Sequence, residues 1–281
     1  MRRLVASLVM GVMASSCALF TSLDGLAGDD PADVDASGRD AADGDAALDV
    51  GIAADAASAV DYRALVLADD PVAYYRLADT AGAPAKDETG RFDGITVGNL
   101  VYGQPGPFGG ESKSTRFAKG LIMADSLARS HAWPAMTIEA WASSEVPAGN
   151  DGFIATFAEG TGGDLVSLFH DGPTRGYAMT LDDAARIVSA PAVTDGEWHH
   201  VAVTIGGGQV NLYVDGVVRA SGAGTLPAFA GDGYFVIGAD YDSVDGAPLP
   251  NEYFAGRLAE LALYDRVLPA ERIAAHSAAR P

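Results

Sequence analysis

The chain has 281 residues and carries 38 acidic against 18 basic side chains, a formal net charge of −20. So large an acid excess excludes nucleic acid as a partner, because phosphates are held by Lys and Arg, and it opposes an anionic membrane surface. With Cys17 as its single cysteine the chain forms no intramolecular disulfide, and its length suits one all-β sandwich with an appendage.

At the start, Arg2-Arg3, the apolar run Leu4 to Met13 and the small residues Ala14-Ser15-Ser16 make up the three parts of an export signal. Its apolar run of roughly ten residues falls short of the about 20 that a membrane span takes. Small residues directly before a lone cysteine resemble a bacterial lipobox, in which Cys17 becomes the lipidated first residue, with Ala14 where Leu is usual. That resemblance implies a membrane attachment through Cys17 alone, and Ala18 after it implies outer-membrane sorting in a Gram-negative cell. The other outcome is a secreted protein cut near Cys17 to Leu19. Residues 18–60 then read as a disordered linker: Asp24 to Asp61 include eleven Asp against Arg39 alone. Such a segment buries too little apolar surface to offset its ordering entropy, a weak Ala-rich helix at Ala53 to Ala59 being the alternative.

The folded domain is assigned to residues 61–281. Tyr62 to Leu67 and Val72 to Leu77 are its first strand candidates, on either side of Asp69-Asp70-Pro71. Others follow at Ser114 to Phe117, Met136 to Ala142, Gly152 to Ala158, Leu165 to His170, Tyr177 to Leu181, Phe235 to Ile237 and Phe254 to Tyr264, with glycine-rich turns between them. The clearest stretch runs from Trp198 to Gly216. Val201, Val203 and Ile205 alternate with polar or small residues, Val210, Leu212 and Val214 do the same, and Gly206-Gly207-Gly208 and Asp215-Gly216 supply the turns. This predicts an antiparallel hairpin with one apolar face. Pro269 to His276 reads as a short helix with proline in its first turn. The fold class is therefore all-β, a two-sheet antiparallel sandwich with a short C-terminal helix.

Asp70 to Leu77, Asp87-Glu-Thr-Gly90 with Asp93-Gly94, Met136 to Trp141, Asp195 to Thr204 with Leu212 to Gly216, and Phe254 to Tyr264 together resemble the laminin-G-like jelly roll, a concanavalin A-like lectin/glucanase fold. The resemblance covers about Asp61 to His276. It implies binding of sugars or proteins, and a rim calcium held by acidic side chains and loop carbonyls. The matching positions here are Asp87, Asp93 and Glu260, with Ala259 where the family commonly has Asp. Turn and capping roles are the other reading of these aspartates.

Glu139 and Trp141 share one strand face by their spacing of two, an arrangement that could stack on and hydrogen-bond a sugar, or else lie in the core. Asp240, Asp242 and Asp245 are spaced on a loop without the EF-hand pattern and read as solvated. His199 and His200 point to opposite faces of a strand and cannot chelate one ion together; His199, on the Val201 side, is expected in the core. Glucanases of this fold carry Glu-x-Asp-x-x-Glu or Glu-x-Asp-x-Glu on one strand, and the chain has neither run. The sequence thus predicts a non-catalytic cell-surface module that recognises a glycan or a surface protein. A glycoside hydrolase of the same fold and an envelope protein without a specific ligand are the alternatives.

Overall fold

The computed structural model describes residues 61–159, 163–182, 185–188, 193, 196–229, 233–244 and 247–280. The expectations for the export signal, Cys17 and the linker lie outside these residues, as does Asp245. In chain order the elements are α1 (Tyr62–Leu67), β1 (Ala73–Tyr75), β2 (Ile95–Pro105), β3 (Lys113–Met123), α2 (Asp125–Ser130), β4 (Met136–Ser144), β5 (Gly152–Ala158), β6 (Asp164–Asp171), β7 (Gly176–Leu181) and β8 (Ala185–Val188). They continue with β9 (His199–Gly206), β10 (Gln209–Val214), β11 (Val217–Ala223), β12 (Tyr234–Ile237), β13 (Asp240–Val244), β14 (Ala247–Asn251), β15 (Ala255–Tyr264) and α3 (Ala270–Ala278).

Among the described residues thirteen strands form one antiparallel sheet: eleven follow the path β11-β10-β9-β4-β15-β3-β12-β5-β6-β7-β8, with β1 added on β15 and β2 on β3. The path turns at β15. All of β15 runs beside β4, whereas on its other edge Ala255 to Leu258 pair with β3 and Leu261 to Leu263 with β1. A register shift falls between Ala259 and Ala262, and Glu260 there adopts φ 55°, which marks a bulge of the kind that bends strands. The sheet curls into the two layers of a jelly roll. Met136, Ile138 and Ala140 of β4, Val201 and Val203 of β9, and Leu212 of β10 meet Phe157, Leu168, Met179, Phe235 and Ile237 of the opposite layer in the main core.

The hairpin read from Trp198 to Gly216 is present as β9 and β10. Gly206 pairs with Gln209 across Gly207 and Gly208, both at positive φ, and Val214 pairs with Val217 across Asp215 and Gly216, both at positive φ. These are the two-residue turns that match strand twist, and the second one starts a strand, β11, that the alternation did not flag. The expected single apolar face is corrected: His200 to Ile205 of β9 are buried on both faces, as is every residue of the neighbouring β4. The outer face of the β4-β9-β15 layer carries a second apolar cluster of Tyr74, Trp141, Ala202, Tyr213, Ala262 and Tyr264. Tyr62 and Val66 of α1, Leu268, and Ile273 of α3 cover it.

Tyr62 to Leu67 is helical, which corrects the strand expectation. Asp61 caps the helix by accepting from Ala64 N at 3.3 Å, Tyr62 and Val66 repeat at i and i+4 on the buried side, and Pro71 follows the end. Asp240 and Asp242 lie on β13, paired to β14, where a loop was expected, and Asp240 is buried.

Backbones approach most closely at Gly172. Its Gly172 N–H donates to Asp151 Oδ1 at 3.0 Å, and a methyl group placed on its Cα would fall inside the peptide of Asn150. Gly172→Ala is therefore expected to push the 146–151 loop outward at a cost of about 1–3 kcal/mol, read as a lowered midpoint in urea unfolding.

Candidate functional site

Three groups of functional side chains emerge once the strands are laid in register. The first is the loop between β1 and β2. Asp87, fully buried, accepts from Tyr74 N–H at 2.9 Å and Thr89 N–H at 3.0 Å through one oxygen. Its other oxygen accepts from Thr89 Oγ1 at 2.6 Å, Arg91 N–H at 3.1 Å and Phe92 N–H at 2.9 Å. Burial pushes this carboxyl up, but the Thr89 hydroxyl and the surrounding N–H groups outweigh it and hold it below the ordinary aspartate value. Asp93 accepts from Asp87 N–H at 2.9 Å and pairs with Lys86 at 3.5 Å. Glu260 takes the Tyr74 hydroxyl and pairs with Arg76 at 3.3 Å. As placed, Asp87 turns no oxygen toward a cation, because N–H and O–H donors occupy both of them. Asp87 and Asp93 organise the loop between β1 and β2, and Glu260 ties the bulge of β15 to β1 and Arg76.

The second group lies under the two helices. Glu139, fully buried, accepts from the Tyr264 hydroxyl at 2.7 Å, and both its oxygens contact His276 Nδ1, at 2.9 and 3.0 Å. His200 Nε2 stands 3.3 Å from its other side. His276 Nε2 meets Asp69 Oδ2 at 2.9 Å, and Arg272 clasps the same carboxylate at 2.7 Å. Burial pushes Glu139 up, yet the His200 ring beside it, the His276 hydrogen bond and the charges of both rings hold it well below the usual carboxylate range. Burial pulls His276 down, but the Glu139 hydrogen bond and the Glu139 and Asp69 charges lift it above the ordinary histidine value. Trp141 is 2% exposed and packs between Phe108, Tyr62 and His200. Glu139 and Trp141 do share a face, but α1 and α3 close it to a sugar. The core histidine is His200 rather than His199, which sits at a strand end and meets Asp215 at 2.8 Å. Neither Asp69 nor His276 drew notice in the sequence; only the helix over Pro269 to His276, with Asp69 just past a capped helix, could have paired them.

The third group is open to solvent. A groove of about 670 Å³ runs along the rim between the middle of β3, the 146–151 loop, and the segment from Glu252 to Ala255. Half-exposed Tyr253 and the Val146-Pro147 pair form its apolar wall, and Arg116, Lys119, Asn150, Asp151 and Glu252 its polar groups. Arg116 is held by Glu145 at 2.6 Å, whereas Lys119 makes no ion pair among the described residues. Lys119 and Glu252 sit at φ 67° and 38°, sterically disfavoured conformations that gather at functional sites. None of the groove residues stood out in the sequence, because β3, the 146–151 loop and Glu252 to Ala255 are far apart along the chain.

Comparison with known proteins places this geometry in context. A family model described as the concanavalin A-like lectin/glucanases superfamily matches residues 120–274. A 102-residue stretch, 35% of the chain, is 33% identical to part of the sushi, von Willebrand factor type A, EGF and pentraxin domain-containing protein 1 of Rattus norvegicus. Another of 85 residues, 29% of the chain, is 32% identical to part of neuronal pentraxin-2 of Homo sapiens. The matched stretches span 3% and 20% of those proteins' own lengths. Among solved structures, domain 4 of the extracellular arabinanase AbnA from Geobacillus stearothermophilus, in complex with arabinotriose, superposes with a TM-score of 0.58 at 18% identity, covering 74% of this chain and 98% of that one. The sialidase of Trypanosoma rangeli gives 0.54 at 18% identity over 74% of this chain and 32% of that one. These structures share the fold. Among the described residues no helix is long and apolar enough to cross a membrane.

Proposed function

Because the chain belongs to the concanavalin A-like lectin/glucanases superfamily, we propose that it is a non-catalytic binding module that takes a carbohydrate in the rim groove, and that it is exported and tethered through Cys17. The observation that carries the reading is the composition of the groove. An aromatic ring offers a flat apolar face to sugar C–H groups, and an amide, two carboxylates and two cations stand around it to order hydroxyls, the usual make-up of a small-molecule site. The arabinotriose complex of AbnA domain 4 supports a glycan as the ligand class to try first. The non-catalytic part of the reading is supported by chemistry: Glu139 is sealed under two helices and held by Tyr264 and His276, and Glu260 is bound to Tyr74 and Arg76.

On a glycan array, followed by calorimetry with the best oligosaccharide, Tyr253→Ala and Asn150→Ala are each expected to weaken binding about tenfold or more, the worth of one stacking or hydrogen-bonding anchor. The unfolding midpoint of Asn150→Ala should stay near wild type, since that side chain is exposed, whereas Tyr253→Ala should also lower it, because the ring packs against the cluster of Leu121, Ala158 and Val236. Binding that survives both substitutions would move the ligand elsewhere. Release of sugar from a polysaccharide, lost in Glu139→Gln or Glu260→Gln, would replace the binding reading with the hydrolase one.

A further inference from the structure

We propose that α3 is a titratable cover: as an imidazolium, His276 holds the helix shut on the outer face of the β4-β9-β15 layer, and loss of that proton frees the helix and opens the cleft beside it to Trp141. The geometry selects the charged form. An imidazolium has two N–H donors, and here each ring nitrogen faces a carboxylate oxygen at 2.9 Å, Glu139 on β4 and Asp69 after α1. A neutral ring donates once, so its second nitrogen would present a lone pair to a carboxylate, either the fully buried Glu139 or the largely covered Asp69. His276 itself is fully buried, so no water can relieve the mismatch in place.

The groups around His276 leave it as the pivot. Glu139 from β4 is shared with the Tyr264 hydroxyl of β15 and stands beside His200 of β9. The Tyr62 ring of α1 meets the imidazole edge-on at 6.1 Å, and Arg272, on α3 itself, holds Asp69. Burial, followed by the charge of Glu139, pushes both Tyr62 and Tyr264 far above the ordinary tyrosine value, so neither ionises across the neutral and mildly alkaline range.

Release would be confined to the helix. α3 has nine residues and no side-chain cap at Pro269, far below the about 12–15 residues at which an isolated helix becomes even marginal in water. Ile273 is its one fully buried apolar side chain. The helix also completes a cleft of about 520 Å³: Ser277 and Arg280 form one wall, and Trp141, Glu197, Trp198, His199 and Asp215 the rest. Arg280, two residues past α3, donates to Trp198 O at 2.6 Å and lies 6.0 Å above the Trp141 ring, contacts that are lost when the helix leaves. The Trp141 ring, part of the lining of that cleft, is then uncovered.

The test is hydrogen exchange by mass spectrometry on the full chain across neutral to mildly alkaline pH, corrected for intrinsic exchange, with acrylamide quenching of tryptophan alongside. Opening of the 270–280 segment should rise about tenfold or more with pH, the worth of one charge-assisted hydrogen bond, while β4 and β9 stay protected and quenching increases. His276→Gln should show an open α3 at every pH with no titration. Should that variant fail to fold, Asp69→Asn serves instead: with one carboxylate neutralised, the release midpoint should move to lower pH. Protection of α3 that does not change with pH, loss of α3 and β4 together, or an unmoved midpoint in Asp69→Asn would each overturn the proposal.

Discussion

Asp87→Ala is expected to lower the free energy of unfolding by about 3–5 kcal/mol, because it removes one acceptor from several donors at once. Four backbone N–H groups and the Thr89 hydroxyl point at this carboxylate, and the residue is fully buried, so water cannot take its place. Asp87→Asn keeps the shape but turns one oxygen into a donor facing donors, and should cost a substantial part of the same amount. Urea unfolding of the three proteins measures both. The pH dependence has a definite sign: the folded carboxyl lies below its unfolded value, so its contribution is present above the unfolded value and is lost as pH falls through the folded one. Wild type should lose stability on acidification more steeply than Asp87→Asn. Since the ligands of Asp87 are N–H and O–H groups, melting with and without a chelator should coincide. Stabilisation of wild type by calcium that Asp87→Asn abolishes would assign the loop to a cation instead.

Glu139→Ala is expected to cost about 3–5 kcal/mol, the usual penalty for removing one partner of a buried charge pair. It strands the His276 imidazolium and leaves the Tyr264 hydroxyl without its acceptor, both in a region closed to water. A double variant, Glu139→Leu with His276→Leu, should be less destabilised than Glu139→Ala, since it removes both charges together. The folded Glu139 carboxyl lies below its unfolded value and the folded His276 above its own. Glu139 therefore contributes above its unfolded value and loses this as pH falls through the folded one, whereas His276 contributes below its unfolded value and loses this as pH rises through the folded one. Stability as a function of pH should show a plateau between these limits that is flattened in Glu139→Ala. A plateau identical to wild type would remove Glu139 from the network.

Much of the fold could be read along the chain because strand alternation and turn chemistry are local. Val201, Val203 and Ile205, then Gly207-Gly208 and Asp215-Gly216, specify β9, β10 and both turns from neighbours within a few residues. The same locality explains the misread first element: six residues from Tyr62 to Leu67 are too few to separate the two periods, and the cap at Asp61 was the discriminating signal. β2 escaped for a related reason, since it is interrupted by glycines and bulges, with Ile95 and Val97 exposed.

By itself, the sequence determined the jelly roll, the central hairpin, the C-terminal helix and the acid excess. Which face of the β4 layer is covered, and which carboxylates bear charge inside it, only the tertiary structure decided. Asp69, Glu139 and His276 meet across separations of up to 207 residues, and Tyr253 joins Arg116 and Asn150 only when the strands curl. Burial and partner distance fix what a carboxylate can do, and neither is a property of the residue or of its neighbours in sequence. That is why Glu139, spaced with Trp141 as if to meet a sugar, is instead the buried hub that holds a helix in place.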